Sequence, residues 1–511
     1  MFHYKVVSGA KITDDLIDEI KALFDSSYGM WSSSHAPSAS LAGQRISFPR
    51  KAYVEYFRGS ADYDGECEVA LCYDDDKLIG EAIYVNRDTY RGKVALVVQL
   101  VVHKDYRRRG IGSALLGSIW GFSDYYAWGI VTSNPCTVKT LENATCRQCS
   151  ASEIIKNKHF LSREVLANIR FLDDSRDTWV VNANGKGYAS RICTGFATSR
   201  DEATPALKEV ESRLGGIGAQ DEWLAFVFNS QPVVSDETFR RMLDESNFIV
   251  RDAYSRMNVH GQGWTRYADA EVDAILKSVN VSPASAICDF GAGCGRHLKA
   301  LSQRGFADLS GIDFTATGND GVVVRGDCRN WEGSKRFDLI LCLYDVVGSF
   351  RSLEDNRAIL SNIYKNLNPG GQAVVSVMNL SYEGMDNAKA VGSKTGELYR
   401  ELRTLKPSTN MAETGEVFDG RYALIDRENG LVYRKEQFDG GDNRLRRELV
   451  VVDRRFTKKA IEALCREVGF DVISSRYVRA GFGKAPLLRR FNTSRWGKEI
   501  LLTLSRTSKT L

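Results

Sequence analysis

The sequence runs to 511 residues, 43% hydrophobic and 26% charged, which are ordinary globular values and exclude a disordered or collagen-like chain. Lys and Arg number 69 against 65 Asp and Glu, and the formal charge of +4 argues against a chain that grips nucleic acid through phosphates alone. Eleven cysteines without a framework read as reduced thiols, and the six histidines form no close pair of metal-ligand spacing, so no metal is expected. With no run of ~20 apolar residues to span a membrane and no secretion pattern in residues 1–10, a cytoplasmic protein of two or three folding units is expected.

In chain order, residues 2–234 mix short apolar strands with helices. The Ser-rich stretch 32–40 reads as a surface loop. Residues 68–73, the Asp74-Asp75-Asp76-Lys77 turn and residues 78–82 have a hairpin pattern. Residues 94–102 form a long apolar strand, interrupted by Gln99 and ending at Val102. It runs into His103-Lys104-Asp105-Tyr106-Arg107-Arg108-Arg109-Gly110-Ile111-Gly112-Ser113 at the start of a helix. Successive backbone amides there, with glycines that let a ligand approach, make an anion site suited to a pyrophosphate. A solvated basic turn is the plainer alternative. Strand 127–132 follows, then Asn134 opens a helix through Arg147, and strand 223–228 extends the unit. Cys146 and Cys149 lack a second ligand pair for zinc.

This order resembles the GNAT acyltransferase superfamily, whose Arg/Gln-x-x-Gly-x-Gly/Ala loop binds the coenzyme A pyrophosphate. The resemblance implies a mixed sheet with helices and acetyl-CoA, or another acyl-CoA, as cofactor. It assigns cofactor contacts to Arg107, Gly110 and Gly112, with Arg108, Arg109 and Ser113 flanking and Val102 and Asn134 beside them. Two positions depart from the family. Gln99 stands where the strand often supplies a Glu base, and Leu141 where a later helix often supplies a Tyr acid; neither transfers protons near neutral pH. A water, Glu81 or His103 is the expected substitute as base.

Residues 235–285 read as a helical connector, with Phe239, Met242 and Leu243 on one face and Val272, Ile275 and Leu276 on another. Its aromatics Tyr254 and Trp264 either close over a cofactor or fill the core. From residue 286 strands and helices alternate, which predicts a parallel sheet covered on both faces. A short apolar run ends in Asp289-Phe290 and meets Gly291-Ala292-Gly293-Cys294-Gly295-Arg296-His297 before an amphipathic helix. Glycines in that turn let the backbone approach a ligand closely. The second strand, 309–312, ends in Asp313, placed to accept from both ribose hydroxyls of a nucleoside. The third, 322–324, runs into Asp327; the fourth, 337–343, ends in Leu343 and is followed by Tyr344 and Asp345. The fifth, 373–377, follows a Leu-Asn-Pro-Gly-Gly turn.

A dinucleotide-binding dehydrogenase is the first competitor, but the loop reads Asp-x-Gly-x-Gly-x-Gly and a further acid follows strand three. The set resembles the class I S-adenosylmethionine (SAM)-dependent methyltransferases over residues 286–377 and again over 457–505. The resemblance implies a Rossmann-like seven-stranded sheet and SAM as cofactor. It places Asp289, Gly291, Gly293 and Gly295 at the methionine part, Asp313 at the ribose and Asp327 at the adenine, with Leu343 beside them and Tyr344 and Asp345 as catalytic candidates. No proline follows Leu343 and there is no Pro-Cys nucleophile, which speaks against the DNA methyltransferases. An insertion at about 380–455 carries an Asn429-Gly430 hairpin signal and reads as an antiparallel flap. Within it Tyr433, Arg434, Glu436, Arg454 and Arg455 are substrate-contact candidates, set against the plainer reading of a solvated strand face. His297, just past the glycine loop, is a lesser catalytic candidate.

The expected architecture is therefore α/β, with a GNAT-like unit at 1–234, a connector at 235–285 and a methyltransferase unit at 286–511. The leading expectation is a bifunctional transferase that acetylates an amine and methylates a small molecule or peptide at N or O. The alternatives are a methyltransferase whose first unit only binds or regulates and, more weakly, a nucleic-acid-modifying enzyme suggested by basic runs at 107–109, 444–447, 454–459 and 489–490.

Overall fold

The computed structural model describes residues 2–59, 67–120, 123, 125–167, 169, 188–199, 204–233, 237, 239–240, 243–244, 263–314, 322–392, 394–408, 420–438, 447–479 and 493–507. Met242 and Tyr254 lie outside them. The chain divides into two compact units, the first of residues 1–249 with 439–448 and the second of 250–438 with 449–511.

In the first unit, strands β1 (Phe2–Val7), β2 (Cys67–Asp74), β3 (Lys77–Thr89), β4 (Gly92–Val102), β5 (Ala127–Thr132), β6 (Arg191–Cys193) and β7 (Asp221–Phe228) form one sheet of order β1-β2-β3-β4-β5-β7-β6. Helices α1 (Asp14–Ser27) and α2 (Arg50–Arg58) lie against it. Thr13 caps α1 through the Leu16 amide, and Asp14 and Asp15 suit its positive end. Ile17, Ile20, Leu23 and Phe24, spaced as one helix face, bury with Val69, Leu71, Ile83 and Val101 of the sheet. Helices α3 (Ile111–Trp120) and α4 (Pro135–Thr145) follow β4 and β5.

Val94, Ala95, Leu96 and Val97 are all fully buried, so β4 is covered on both faces. Its parallel pairing with β5 runs from Val94↔Ala127 to Val97↔Ile130. Opposite β3, the register slips between Ile83↔Gln99 and Tyr84↔Val97, leaving Val98 as a bulge. Bulge and departure from β5 coincide, so residues 98–102 present ladder groups that β5 does not take up.

In the second unit, β8 (Ile287–Phe290), β9 (Leu309–Asp313), β10 (Val323–Arg325), β11 (Phe337–Cys342), β12 (Leu367–Met378), β17 (Phe470–Val478) and β18 (Glu499–Arg506) form a sheet of order β10-β9-β8-β11-β12-β18-β17. The first five are mutually parallel, β18 runs antiparallel to β12, and β17, antiparallel to β18, runs in the direction of the first five. Alternate residues of β11 serve two cores, Ile340 and Cys342 on one face and Leu339 and Leu341 on the other. Helix α5 (Ala268–Leu276) covers the second face with Val272 and Ile275. Helices α6 (Arg296–Ser302), α7 (Leu353–Asn366) and α8 (Lys458–Val468) complete the layers. The expected Asn-Pro-Gly-Gly turn lies inside β12, where the pairing jumps from Phe337↔Leu367 to Leu339↔Gln372. The insertion adds a four-stranded sheet: β13 (Lys389–Ala390), β14 (Ala423–Asp426), β15 (Leu431–Phe438) and β16 (Arg447–Arg454). Its β14–β15 hairpin is antiparallel as the Asn-Gly signal predicts, while β13 joins β14 in parallel.

Candidate active sites

In the first unit, the strand-to-helix loop is held open by backbone conformation. Arg108 (φ 60°) and Gly110 (φ 80°) are both left-handed, and they turn the chain into α3. Gly112 packs on α4, where an added Cβ would come 3.1 Å from the Thr140 methyl. The arginines are already engaged: Arg107 donates to the Val102 and Ser27 carbonyls, and Arg109 stacks 4.7 Å from the Phe2 ring and 5.3 Å from Tyr106. Asn134 caps α4, accepting from the Cys136 amide at 2.9 Å. Ser113 lies half-buried in the first turn of α3.

The two candidate bases sit in different surroundings. His103 caps a short helical turn, accepting from the Asp105 amide, and partial burial with Lys77 nearby holds its pKa below the usual value. Glu81 is fully buried on β3 beside Gln99 of β4, whose amide donates to Glu81 Oε1 at 2.8 Å. Among the described residues its Oε2 has no hydrogen-bond partner, and burial pushes the carboxyl pKa up to about 8. Tyr53 of α2, also fully buried, stands 3.5 Å from Gln99 Nε2. Gln99, which departs from the family pattern, thus orients the carboxylate that stands next to it. Leu141 is in the core.

In the second unit, the sheet order reverses between β8 and β11, and the glycine loop leaves the carboxyl end of β8 at that crevice. Gly291, Gly293 and Gly295 all have positive φ (80°, 56° and 74°). Among the described residues nothing lies within 4 Å of where a Cβ on Gly293 would stand, and its amide donates to Asp313 Oδ2 at 2.9 Å. A Cβ on Gly291 would instead strike Val346, and one on Gly295 would come 3.3 Å from Val323. The loop is a cradle open at Gly293, with the β9 acid on its rim. Asp327 is bound by Arg329, Oδ2 accepting from Nη2 at 2.7 Å, and Arg329 also reaches Asp355 at 2.8 Å. Leu343 is buried with Leu339 and Leu341.

Past β11 the chain turns through two consecutive left-handed residues, Tyr344 (φ 58°) and Asp345 (φ 70°), a conformation costing about 1–2 kcal/mol for each. The Tyr344 amide is tied to Ser376 Oγ at 2.9 Å, and the Arg296 guanidinium lies 4.6 Å from its ring. The Tyr344 hydroxyl bonds Glu271 Oε1. Glu271 Oε2 meets His297 Nε2 at 2.9 Å, and His297 Nδ1 lies 3.6 Å from Asp289 Oδ2. Glu271, His297 and Asp289 are all at most 3% exposed. Glu271 was not singled out from sequence, yet the signal was there: positions 268, 271, 272 and 275 are one face of α5, and an acid stands on it among Ala268, Val272 and Ile275.

Residues 264–475 match the family model described as a methyltransferase domain, and residues 33–119 the one described as the acetyltransferase (GNAT) family. The chain joins a GNAT domain to a methyltransferase domain. Curated relatives include a dTDP-4-amino-2,3,4,6-tetradeoxy-D-glucose N,N-dimethyltransferase of Saccharopolyspora spinosa, 26% identical over 133 residues, 24% of this chain and 52% of that protein. A dTDP-3-amino-3,4,6-trideoxy-alpha-D-glucopyranose N,N-dimethyltransferase of Streptomyces venezuelae is 25% identical over 123 residues, covering 22% and 52%. The chain thus spans about half the length of the curated relatives it matches. Among solved structures, the CcbJ methyltransferase from Streptomyces caelestis aligns over 48% of this chain and 92% of its own, at 15% identity and a TM-score of 0.33.

The insertion of the methyltransferase unit corrects one expectation. Tyr433, Arg434, Glu436 and Arg455 are 9% exposed or less, so they do not form a solvated face. Arg434 pairs with Asp453 at 2.7 Å and Glu436 at 2.9 Å. Arg454 is held by the Arg351 and Asn429 carbonyls. Burial raises the pKa of Glu436 and of Glu499 to about 7 each. Asp345 is raised by burial and by Asp453, and its Oδ1 makes no hydrogen bond. Among the described residues no three His, Cys, Asp or Glu converge as a metal site, and no helix is long and apolar enough to cross a membrane.

Proposed function

We propose that the methyltransferase unit is a SAM-dependent N-methyltransferase acting on an amine-bearing small molecule, and that the GNAT unit transfers an acetyl group from acetyl-CoA to an amine. The observation that carries the first half is the open cradle at the sheet's reversal point, where the Gly293 amide is paired with Asp313 and space remains above the glycine. Those residues fit SAM: the glycine loop, open at Gly293, would admit its methionine part, Asp313 would meet the ribose hydroxyls, and Asp327, held in place by Arg329, the adenine amino group. Bound there, SAM supplies a methyl group on a positively charged sulfur. Tyr344 and Asp345 stand at the strand end nearest the cradle and would face the acceptor. The two curated relatives are named for N,N-dimethylation of dTDP-amino sugars, which favours an amine over a hydroxyl or peptide acceptor.

In the GNAT unit the Gly110–Ser113 turn and the β4 backbone past the Val98 bulge fit acetyl-CoA, which supplies an acetyl thioester. Glu81, oriented by Gln99, is the base that would take the amine proton, and His103 is the less suited of the two because it caps the loop. A second reading, in which this unit binds acetyl-CoA without turnover, is favoured by Leu141, whose burial in the core leaves that position without an acid. The test is calorimetric titration with S-adenosylhomocysteine and with acetyl-CoA, followed by mass spectrometry of an amine panel incubated with SAM or acetyl-CoA. Mass gains of one methyl or one acetyl support the two halves separately. A panel unchanged by SAM despite homocysteine-analogue binding would refute the amine reading.

A further inference from the structure

Three buried groups and the half-buried Tyr344 join the SAM cradle to the acceptor side of the methyltransferase unit in one line. Leu341 of β11 pairs with Asp289 of β8, so Tyr344 stands three residues beyond that pair, over the edge of the sheet. Its left-handed turn directs the phenol to Glu271 of α5, and Glu271 in turn meets His297 in the first turn of α6. The far ring nitrogen faces Asp289 Oδ2, a buried oxygen with no hydrogen-bond partner among the described residues. A carboxylate oxygen thus stands against each nitrogen of one buried imidazole, which fixes the ring's orientation.

We infer that Tyr344, Glu271 and His297 form a proton relay that converts an incoming ammonium acceptor into the neutral amine. This rests on the N-methyltransferase reading above. The step balances simply. The ammonium N–H bond breaks and its proton goes to the Tyr344 oxygen, while the Tyr344 hydroxyl proton passes to Glu271 Oε1. The nitrogen keeps the electron pair, Tyr344 ends as it began, and Glu271 becomes a neutral carboxyl beside His297. That proton leaves to solvent after product departs. Tyr344 touches the acceptor in this scheme; Glu271 accepts the proton, and His297, backed by Asp289, is a positioning residue.

The charged groups around the relay come from each neighbouring element: His297 and Arg296 from α6, Asp289 from β8, Tyr344 from the end of β11 and Glu499 from β18. Burial, and after it the charges of Glu271 and Glu499, hold the Tyr344 phenol well above the usual tyrosine range against the opposing Arg296, so the phenol passes its proton on only as it receives one.

The experiment uses the full chain with labelled SAM and dTDP-3-amino-3,4,6-trideoxyglucose as probe acceptor, comparing wild type with Glu271→Gln and Tyr344→Phe. Both variants should bind S-adenosylhomocysteine as wild type does. Both should lose about 100-fold or more in kcat near neutral pH, the usual contribution of a positioned base. The loss should shrink as pH rises through the free amine's own pKa, because the acceptor is then already neutral. The double variant should be no slower than the worse single one, since both interrupt one line. A Glu271→Gln enzyme with wild-type kcat, or one slowed equally at every pH, overturns the relay while leaving the methyltransferase reading intact. A wild-type enzyme that binds the homocysteine analogue yet methylates neither this probe nor any amine of the panel overturns the reading and the relay together.

Discussion

Glu81 offers a test of the GNAT unit that needs no acceptor. Its carboxyl is fully buried, one oxygen held by Gln99 and the other unpaired, and burial raises its pKa from 4.5 to about 8. The folded chain therefore binds this proton more tightly than the unfolded chain. Between those two pH values the unfolded state has released the proton and the folded state retains it, so stability falls as pH rises. The contribution is fully present below the unfolded pKa and gone above the folded one. At 1.36 kcal/mol for each unit, the change is on the order of 3–5 kcal/mol. Glu81→Gln keeps the shape, can still accept from Gln99 and removes the titration. The variant and wild type should melt alike at about pH 5, and the variant should melt roughly 6–20 °C higher at about pH 8.5, given 2–4 °C for each kcal/mol in a unit of this size. Scanning calorimetry of the whole chain at both pH values makes the comparison. A gap that does not change with pH would refute the buried, proton-binding Glu81 and with it the proposed base.

Asp313→Ala removes the partner of the Gly293 amide and the proposed ribose contact; S-adenosylhomocysteine affinity should fall on the order of 100-fold by calorimetry, the worth of two hydrogen bonds to a carboxylate. Ser113→Glu places a negative charge at the start of α3, and acetyl-CoA should bind at least about tenfold more weakly with an unchanged melting temperature. This substitution is cleaner than enlarging Gly112, which would push on Thr140 and disturb helix packing. Arg434→Met leaves Asp453 and Glu436 buried without their cation and should destabilise the methyltransferase unit by about 3–5 kcal/mol, visible in its melt. Adding Asp453→Asn and Glu436→Gln should recover most of that loss.

What could be read in advance followed from local rules. The glycine loop, the acids at the ends of β8, β9 and β10, and the hairpin at Asn429-Gly430 each need only a few adjacent residues to be recognised. Their placement in the fold follows from the alternation of strands and helices. The four groups of the relay are different in kind: Glu271, Asp289, His297 and Tyr344 come from α5, β8, α6 and the end of β11, and only the sheet brings them together. Charge type also misled. Arg434 and Glu436 stand two apart on β15, the spacing of one strand face, and a charged face is ordinarily the wet one. Here that face is buried, and Asp453 of β16 makes the burial tolerable by closing a double ion pair.

The left-handed pair Tyr344-Asp345 carries this furthest. Aspartate visits positive φ more readily than most residues, but tyrosine does not, so no local pattern placed two left-handed residues in a row there. Its cost must be met by what holds it: the Ser376 hydroxyl on the Tyr344 amide, Arg296 over the ring, and Glu271 on the phenol. Gly348 adds a further condition, since an added Cβ there would strike Asp345 Oδ1. A straight continuation of β11 would relieve the backbone and carry the phenol off Glu271. Strain kept at one point by contacts from three elements, next to an open cofactor cradle, marks the position where the fold gives up local comfort for chemistry.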